Sequence, residues 1–342
     1  MERRAFLRRG VLGLGALAGV RATAPARGAA PPRREQQEET PMEQQPGEPI
    51  VVSTWNFGMA ANAVAAQILQ VGGDPMEAAV RGVMVPEADP EVSSVGLGGF
   101  PNAEGVMELD GAVMDGNTLE VGAVAGLQGI LHPVAVAERV MSRTRHTLLV
   151  GEGARKFALS QGFKEAELLT DHAREQFRKR QAGKEHSPAG GGADPDDHDT
   201  IGLIVLHPTA GMRAVCSTSG AAWKLPGRVG DSPIVGHGLY CDSSVGGVVG
   251  TGLGEEFAKI CAAHAVIERM RAGVEPEAAI REVIGRAVAR DERNRERLLA
   301  MVALRRDGVI GAASSTPGFQ IAVSRGTRHE LRDVPPMYSK KS

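Results

Sequence analysis

Residues 200–220 read TIGLIVLHPTAGMRAVCSTSG. Aliphatic and β-branched residues fill 201–206, a Pro-Thr-Ala-Gly group breaks the run at 208–211, and a second β-prone run follows to Thr218. That order predicts two strands joined by a tight turn. What precedes it is of another kind: KEHSPAGGG at 184–192 and ADPDDHD at 193–199 are polar, glycine-rich and acidic. Such composition predicts a loose segment. A structureless stretch therefore meets a buried strand at one peptide bond, Asp199–Thr200, and the residue at the junction carries a hydroxyl.

Working outward, the fold is expected to begin at Ile50 with IVVSTWNFG, followed by two helices, MAANAVAAQILQ and PMEAAVRGVMV, the second capped by Asp74 with Pro75 in its first turn. Asp110-Gly111, between β-prone runs, predicts a hairpin turn there. HPVAVAERVMSRT reads as a helix, HTLLVG as a strand, EGARKFALSQGF as a helix, and a charged helical stretch runs from Thr170 to about Gly183. After the 200–220 hairpin, GGVVGTGLGEEF ends a strand and opens one long helix through Met270; a second helix lies near Pro276–Asn294. A hairpin about Asp307-Gly308 and a last strand, FQIAVS, complete the fold, with 326–342 as a polar C-terminal tail. Helix pairs and antiparallel hairpins come in blocks, not as regular βαβ units. That favours a layered α/β protein with largely antiparallel sheets over a doubly wound parallel one.

The N-terminus reads as a targeting segment over residues 1–24. Arg3-Arg4 precede Phe6-Leu7 and a short apolar run from Val11 to Val20, in the order of a twin-arginine export signal. An exported, periplasmic or secreted protein is expected, without a stable membrane anchor. Residues 25–49, rich in Pro, Gln, Glu and Arg, read as a disordered spacer. With a formal net charge of -2 over 342 residues, nothing argues for nucleic-acid binding. Cys216, Cys241 and Cys261 fit no metal template and read as mostly buried thiols. His186, His198, His207 and His237 lack zinc-site spacing, and no glycine run fits a dinucleotide or P-loop pattern. Neither metal nor cofactor is expected.

Thr200 carries the chemistry. Inside a chain threonine is a poor nucleophile, but at a new N-terminus its own amine serves as base, with a pKa of about 7.7–8.0 before any tuning. Self-cleavage before Thr200 requires a flexible lead-in, a helping side chain and a rigid strand; 184–199, then Asp199 or His198, then TIGLIVL supply these. Downstream, GRVGDSP sets Arg228 and Asp231 on one loop, able to clamp the carboxylate and ammonium of a free amino acid. Thr251 and Gly252, in TGLGEE, stand at a strand-to-helix junction suited to a developing oxyanion. Thr218 lies on the strand that pairs with that of Thr200.

Together HDTIG, STSG, GRVGDSP and TGLGEE, with STWNFG, SSVGLGG and DGAVMDGNTLEVGAV upstream, resemble the glycosylasparaginase family of N-terminal nucleophile hydrolases over roughly residues 50–325. The resemblance implies a four-layer αββα sandwich made as one precursor and cut between Asp199 and Thr200, then assembled as a dimer of αβ units. It implies Thr200 as nucleophile with Thr218 hydrogen-bonded to it, Arg228 on the substrate α-carboxylate, Asp231 on its α-ammonium, and Thr251 and Gly252 as oxyanion hole. Gly254, Trp55 and Ser94 would shape the pocket. The implied substrate is free asparagine bearing N-acetylglucosamine. Asparagine or β-aspartyl dipeptides are the alternative, and members that favour those usually carry Gly before the threonine, where this chain has Asp199. A non-catalytic amino-acid-binding protein is the remaining alternative. Pro226 and Leu253 depart from the residues common in the family, on the sugar side of the pattern.

Overall fold

The computed structural model describes residues 47–183 and 200–339. The expected export signal, nearly all of the spacer, and the 184–199 segment with His198 and Asp199 lie outside the described residues. Twelve strands form two sheets among the described residues. The larger contains β1 (Ile50–Thr54), β2 (Leu109–Asp115), β3 (Val121–Leu127), β4 (Leu148–Val150), β5 (Ile201–His207), β6 (Gly211–Thr218), β11 (Gln320–Arg325) and β12 (Arg328–Asp333). Their order is β12-β11-β1-β5-β6-β2-β3-β4, and only the β3–β4 pair is parallel. The smaller sheet runs β10-β9-β8-β7, all antiparallel, from β7 (Leu239–Asp242), β8 (Gly246–Gly252), β9 (Leu299–Arg305) and β10 (Ile310–Ser314).

Three apolar cores stack these sheets between helices. On one side, α1 (Gly58–Gln70), α2 (Pro75–Ala88), α3 (Pro133–Arg143) and α4 (Gly151–Ser160) cover Val51, Ile201, Leu203, Val205 and Val215. Between the sheets, Val52, Ile204, Met212 and Cys216 meet Val249, Ala300, Val302 and Leu304. On the far side, α7 (Ala262–Arg271) and α8 (Pro276–Arg290) cover Val248, Met301 and Ala303. Neighbouring residues of one strand face different cores, as the two-residue period of a strand requires. The layers are therefore α, β, β, α, as expected. Both faces of β5 are buried, which is why its sequence is a near-continuous apolar run.

Local signals set several of these elements. Asp74 caps α2 by accepting the Met76 and Glu77 N–H groups at 2.8 and 2.9 Å, with Pro75 at the first helical position. The β5–β6 and β9–β10 hairpins turn where the sequence puts Pro-Thr-Ala-Gly and Asp-Gly. The charged stretch 171–183 is the helix α5 (Asp171–Gly183).

Three expectations change. No hairpin turns at Asp110-Gly111; β2 runs straight through, with a register irregularity between Leu109 and Gly111, because the Asp110 carboxylate is buried and tied to Gly126 N–H at 2.8 Å. The long helix through Met270 is two, α6 (Gly254–Ala258) and α7, separated at Cys261 with φ +48°. The polar tail carries β12, exposed along its whole length on the sheet edge, so it shows no apolar alternation. The cysteines are mostly buried thiols, as expected: Cys216 and Cys241 are buried and Cys261 is exposed.

Gly202 brings the two sheets together beside the site. A Cβ there would sit 2.5 Å from Val249 Cβ and 2.7 Å from Val249 Cγ2 of the facing sheet. Gly202→Ala is expected to destabilise the protein by about 1–3 kcal/mol in denaturant unfolding, the usual cost of overpacking. Equal stability of Gly202→Ala and wild type would show that the sheets are less closely apposed.

Candidate active site

The ends of several strands converge on Thr200. It stands immediately before β5, in the middle of the larger sheet, and is 6% exposed. The β5–β6 register pairs Ile201 with Ser217, so one step further sets Thr200 across from Thr218. The small sheet contributes the end of β8, Thr251 and Gly252. Thr200 N–H donates to Thr251 Oγ1 at 3.0 Å, and Trp55 Nε1 donates to the same oxygen at 3.0 Å. A hydroxyl has two lone pairs and one proton. With both lone pairs taken by N–H donors, any further partner of the Thr251 hydroxyl has to be an acceptor.

Two further residues hold the threonine, and neither was legible as a site residue in the sequence. Thr54 Oγ1 donates to the Thr200 carbonyl at 2.6 Å and accepts from Gly202 N–H at 3.0 Å. Ser232 Oγ lies 3.3 Å from Thr200 Oγ1. The hydroxyl neighbour of Thr200 Oγ1 is thus Ser232, where the resemblance gave Thr218. Thr218 Oγ1 instead accepts from Gly220 N–H at 2.8 Å and donates to the Ser94 carbonyl at 3.4 Å. The same carbonyl takes Ser219 N–H and Ser219 Oγ, each at 2.8 Å. Ser94 is 3% exposed, and its own Oγ has no hydrogen-bond partner among the described residues. Ser232 sits inside the GRVGDSP motif, which was its only sequence signal. Thr54 is visible only once β1 is known to lie beside β5.

Trp55 is held in a left-handed backbone conformation, φ +65°. A bulky residue there costs on the order of 1–3 kcal/mol. Its bond to Thr251 and an edge-to-face contact with Phe319, centroids 5.2 Å apart, keep it in place. Gly252 also has positive φ, +107°, and a Cβ would fall 2.2 Å from the Leu298 carbonyl, so only glycine fits.

Thr200, Thr218, Arg228, Asp231, Ser232 and Gly252 line one narrow pocket, with Gly220, Ala221 and Gly230 supplying walls without long side chains. Gly254 does not line it, but leaves room for it: a Cβ there would meet Asp231 Oδ1 at 2.4 Å. A larger open depression of about 360 Å3 lies at Asn56, Phe57, Glu91, Val92 and Ser93. Its wall carries a carboxylate but no nucleophile paired with a base, so the chemistry belongs to the smaller pocket. His198 and Asp199 lie outside the described residues, and no group of three or more His, Cys, Asp or Glu suited to a metal occurs among the described ones.

The loop carrying Arg228 is fixed from below by buried charges. Glu108 accepts Gly227 N–H on both carboxylate oxygens, at 3.1 and 3.2 Å. Lys224 Nζ donates to the Glu108 carbonyl at 3.1 Å and lies 3.9 Å from Asp110 Oδ2. Burial lowers the Lys224 pKa, and Asp110 and Glu108 partly oppose that shift. Burial alone would lower the Arg228 pKa, but the hydrogen bonds and charge of Glu255, with the charges of Asp231 and Asp110, more than offset it, and the net shift is upward.

Asp231 is the other half of the expected clamp. It is 4% exposed, and Oδ2 has no hydrogen-bond partner among the described residues. Burial pushes its pKa up to about 6, against its own backbone N–H and the Arg228 charge. A buried, under-satisfied carboxylate on a pocket wall is costly without a cation beside it.

With this geometry in hand, comparison with known proteins places the chain. The model of the asparaginase family (Asparaginase_2) matches residues 38–331. The chain belongs to this family. It is 40% identical over 288 residues to the N(4)-(β-N-acetylglucosaminyl)-L-asparaginase of Elizabethkingia miricola, covering 82% of this chain and 84% of that protein. It is 36% identical over 265 residues to the rat protein of the same name, covering 70% of this chain and 76% of the relative. A putative enzyme of that name from Drosophila melanogaster is 35% identical over 301 residues, covering 78% of this chain and 76% of the relative. Within the asparaginase family, the αββα layering found here is that of the N-terminal nucleophile hydrolases.

The raised Asp231 pKa gives two opposite pH signatures. Its folded pKa of about 6 lies above the ordinary 3.8, so its relative contribution to stability is intact below pH 3.8 and is lost as pH rises through 6. Asp231→Asn is therefore expected to be more stable than wild type at pH 7, by up to about 3 kcal/mol, the free energy that corresponds to raising a carboxyl from 3.8 to about 6. Thermal unfolding should show that advantage at pH 7 and its loss at pH 4. Binding runs the other way: L-aspartate affinity, read by calorimetry, should weaken as pH falls through about 6, where Asp231 gains a proton. A flat affinity between about pH 5 and 7, a span that brackets this titration, would exclude Asp231 as the ammonium partner.

Proposed function

We propose that the protein is an N(4)-(β-N-acetylglucosaminyl)-L-asparaginase that cuts itself between Asp199 and Thr200 and then hydrolyses the sugar–asparagine amide of free glycosyl-asparagine. The observation that carries the reading is the placement of Thr200. It lines one pocket with Arg228 and Asp231, and its nitrogen and hydroxyl are held by Thr251 and Ser232.

The steps follow from that placement. In the precursor the Thr200 hydroxyl attacks the Asp199 carbonyl, and hydrolysis of the resulting ester frees the Thr200 amine. In the mature enzyme Arg228 takes the substrate α-carboxylate and Asp231 its α-ammonium, which leaves the side-chain amide over Thr200. The neutral Thr200 amine takes the hydroxyl proton as Oγ attacks the amide carbon. Thr251 and Gly252 stabilise the tetrahedral oxyanion. The C–N bond breaks, the amine's proton leaves with the glycosylamine, and water releases aspartate from the threonyl ester. Thr54 and Ser232 hold the Thr200 carbonyl and hydroxyl in register, and Trp55, Ser94 and Thr218 shape the surrounding pocket. Both charged backbone groups of the substrate are clamped, so an asparagine inside a peptide is excluded. The Asp at 199 supports the glycosyl-asparagine reading over the asparagine or β-aspartyl dipeptide one. The same reading takes residues 1–24 as an export signal to the periplasm or medium and the mature enzyme as a dimer of αβ units.

Aspartate release from glycosyl-asparagine, asparagine and a β-aspartyl dipeptide tests this. The first is expected to be turned over with the highest kcat/KM. Thr200→Ala should lose at least about 10^3-fold in kcat. Thr251→Ala should lose about 10^2–10^3-fold in kcat, as when one oxyanion donor is removed. Preference for either other substrate would overturn the assignment of the leaving group, and turnover by Thr200→Ala would overturn the mechanism.

A further inference from the structure

The TGLGEE stretch does a second job beside its part in the oxyanion site. Resting on the clamp reading above, we propose that Glu255 is a positioning residue that makes the pocket selective for a substrate α-carboxylate, by fixing which edge of Arg228 faces the substrate.

A guanidinium offers a carboxylate two edges with paired donors: Nε with one Nη, or Nη1 with Nη2. Glu255 occupies the first. Its carboxylate accepts Arg228 Nε at 2.8 Å and Nη2 at 2.7 Å. The other edge lies against the pocket. A Cβ on Gly230 would sit 3.1 and 3.2 Å from Arg228 Nη1 and Nη2, and one on Gly220 would sit 3.4 Å from Nη1. Gly220 and Gly230 both line the pocket with Thr200. Any side chain at either glycine would crowd this edge, so the glycines keep it accessible to a ligand. Lys224 Nζ approaches the same Gly220 position, at 2.9 Å, and adds positive charge to that wall.

The pair is a guide more than a source of stability. Glu255 is 47% exposed on its side chain and Arg228 20%. An ion pair so placed is partly screened and worth little by itself. What it supplies is orientation: the planar fork cannot turn its Nη1–Nη2 edge away without losing two charge-assisted hydrogen bonds. The preceding residue completes the arrangement, because the missing side chain of Gly254 makes room for Asp231 Oδ1. The Gly254-Glu255 pair thus contacts both halves of the clamp.

The test compares glycosyl-asparagine with its α-carboxamide analogue. Wild type should favour the carboxylate by about 10–100-fold in kcat/KM, the range for a charged hydrogen-bond pair. Glu255→Ala should collapse that ratio by about tenfold or more, through a raised KM for the carboxylate substrate, with kcat falling far less. Glu255→Asp, which keeps the charge on a shorter arm, should give an intermediate ratio. It also carries the test if the alanine variant does not fold. Wild-type discrimination retained in both variants overturns the inference alone. A tighter KM in Glu255→Ala does so too, since Glu255 would then act only by repelling the substrate. A wild type that fails to discriminate overturns the reading of Arg228 and this inference with it.

Discussion

One hydroxyl joins the two sheets at the point where chemistry is to occur. Thr251 Oγ1, at the end of β8, accepts the Thr200 nitrogen from the larger sheet and the indole N–H of Trp55 from the loop after β1. The arrangement needs the sheets to be close there, and the absence of a side chain at Gly202 allows it. It also needs β1, β5 and β6 to be neighbours, which the sheet order provides. The hydrogen bond is therefore a consequence of the whole αββα stack. Thr200, Thr218, Thr251 and Gly252 sit at strand ends, where ladders fix the backbone, while Arg228, Asp231 and Ser232 sit on the anchored loop between β6 and β7.

The stack also carries groups that folding alone would discard. Asp231 is buried with a carboxylate oxygen lacking a partner among the described residues, Trp55 holds a backbone angle unusual for its size, and Ser94 Oγ is buried without a partner among the described residues. Each is a local cost, and all three lie at or beside the Thr200 pocket. Strain and unsatisfied polarity at a pocket are expected where a ligand or reacting group completes the contacts. The buried Glu108–Lys224–Asp110 cluster has another job. Asp110 Oδ2 lacks a hydrogen-bond partner there too, with Lys224 Nζ 3.9 Å away, and Lys224 and Glu108 tie down the loop on which Arg228 is carried.

Much of the fold was legible because its signals are local. The β5–β6 hairpin follows from two β-prone runs about a turn, α2 from Asp74 and Pro75, and the layering from the alternation of helix pairs with hairpins. What failed were signals that distant residues override. Asp110-Gly111 reads as a turn, yet Lys224 and Gly126 draw Asp110 into the interior, and β2 continues. β12 has no buried face, so it shows no pattern to read. The break before α7 falls at Cys261, with no Gly or Pro to mark it. In the site, Thr200, Thr218, Arg228, Asp231, Thr251 and Gly252 were legible through motifs and the family resemblance, and the structure brings them together. Thr54 and Glu255 lie inside the STWNFG and TGLGEE motifs, but their roles were not legible, because those depend on which elements become neighbours. Ser232 was hidden in plain view next to Asp231.

All of this chemistry requires a free amine on Thr200, so the peptide bond between Asp199 and Thr200 is the central point. The direct measurement is the intact mass of the purified protein under denaturing conditions, together with N-terminal sequencing of each chain. Two chains, one ending at Asp199 and one beginning at Thr200, with Thr200→Ala remaining a single chain, is the result expected. A single unbroken chain with full amidase activity would contradict it.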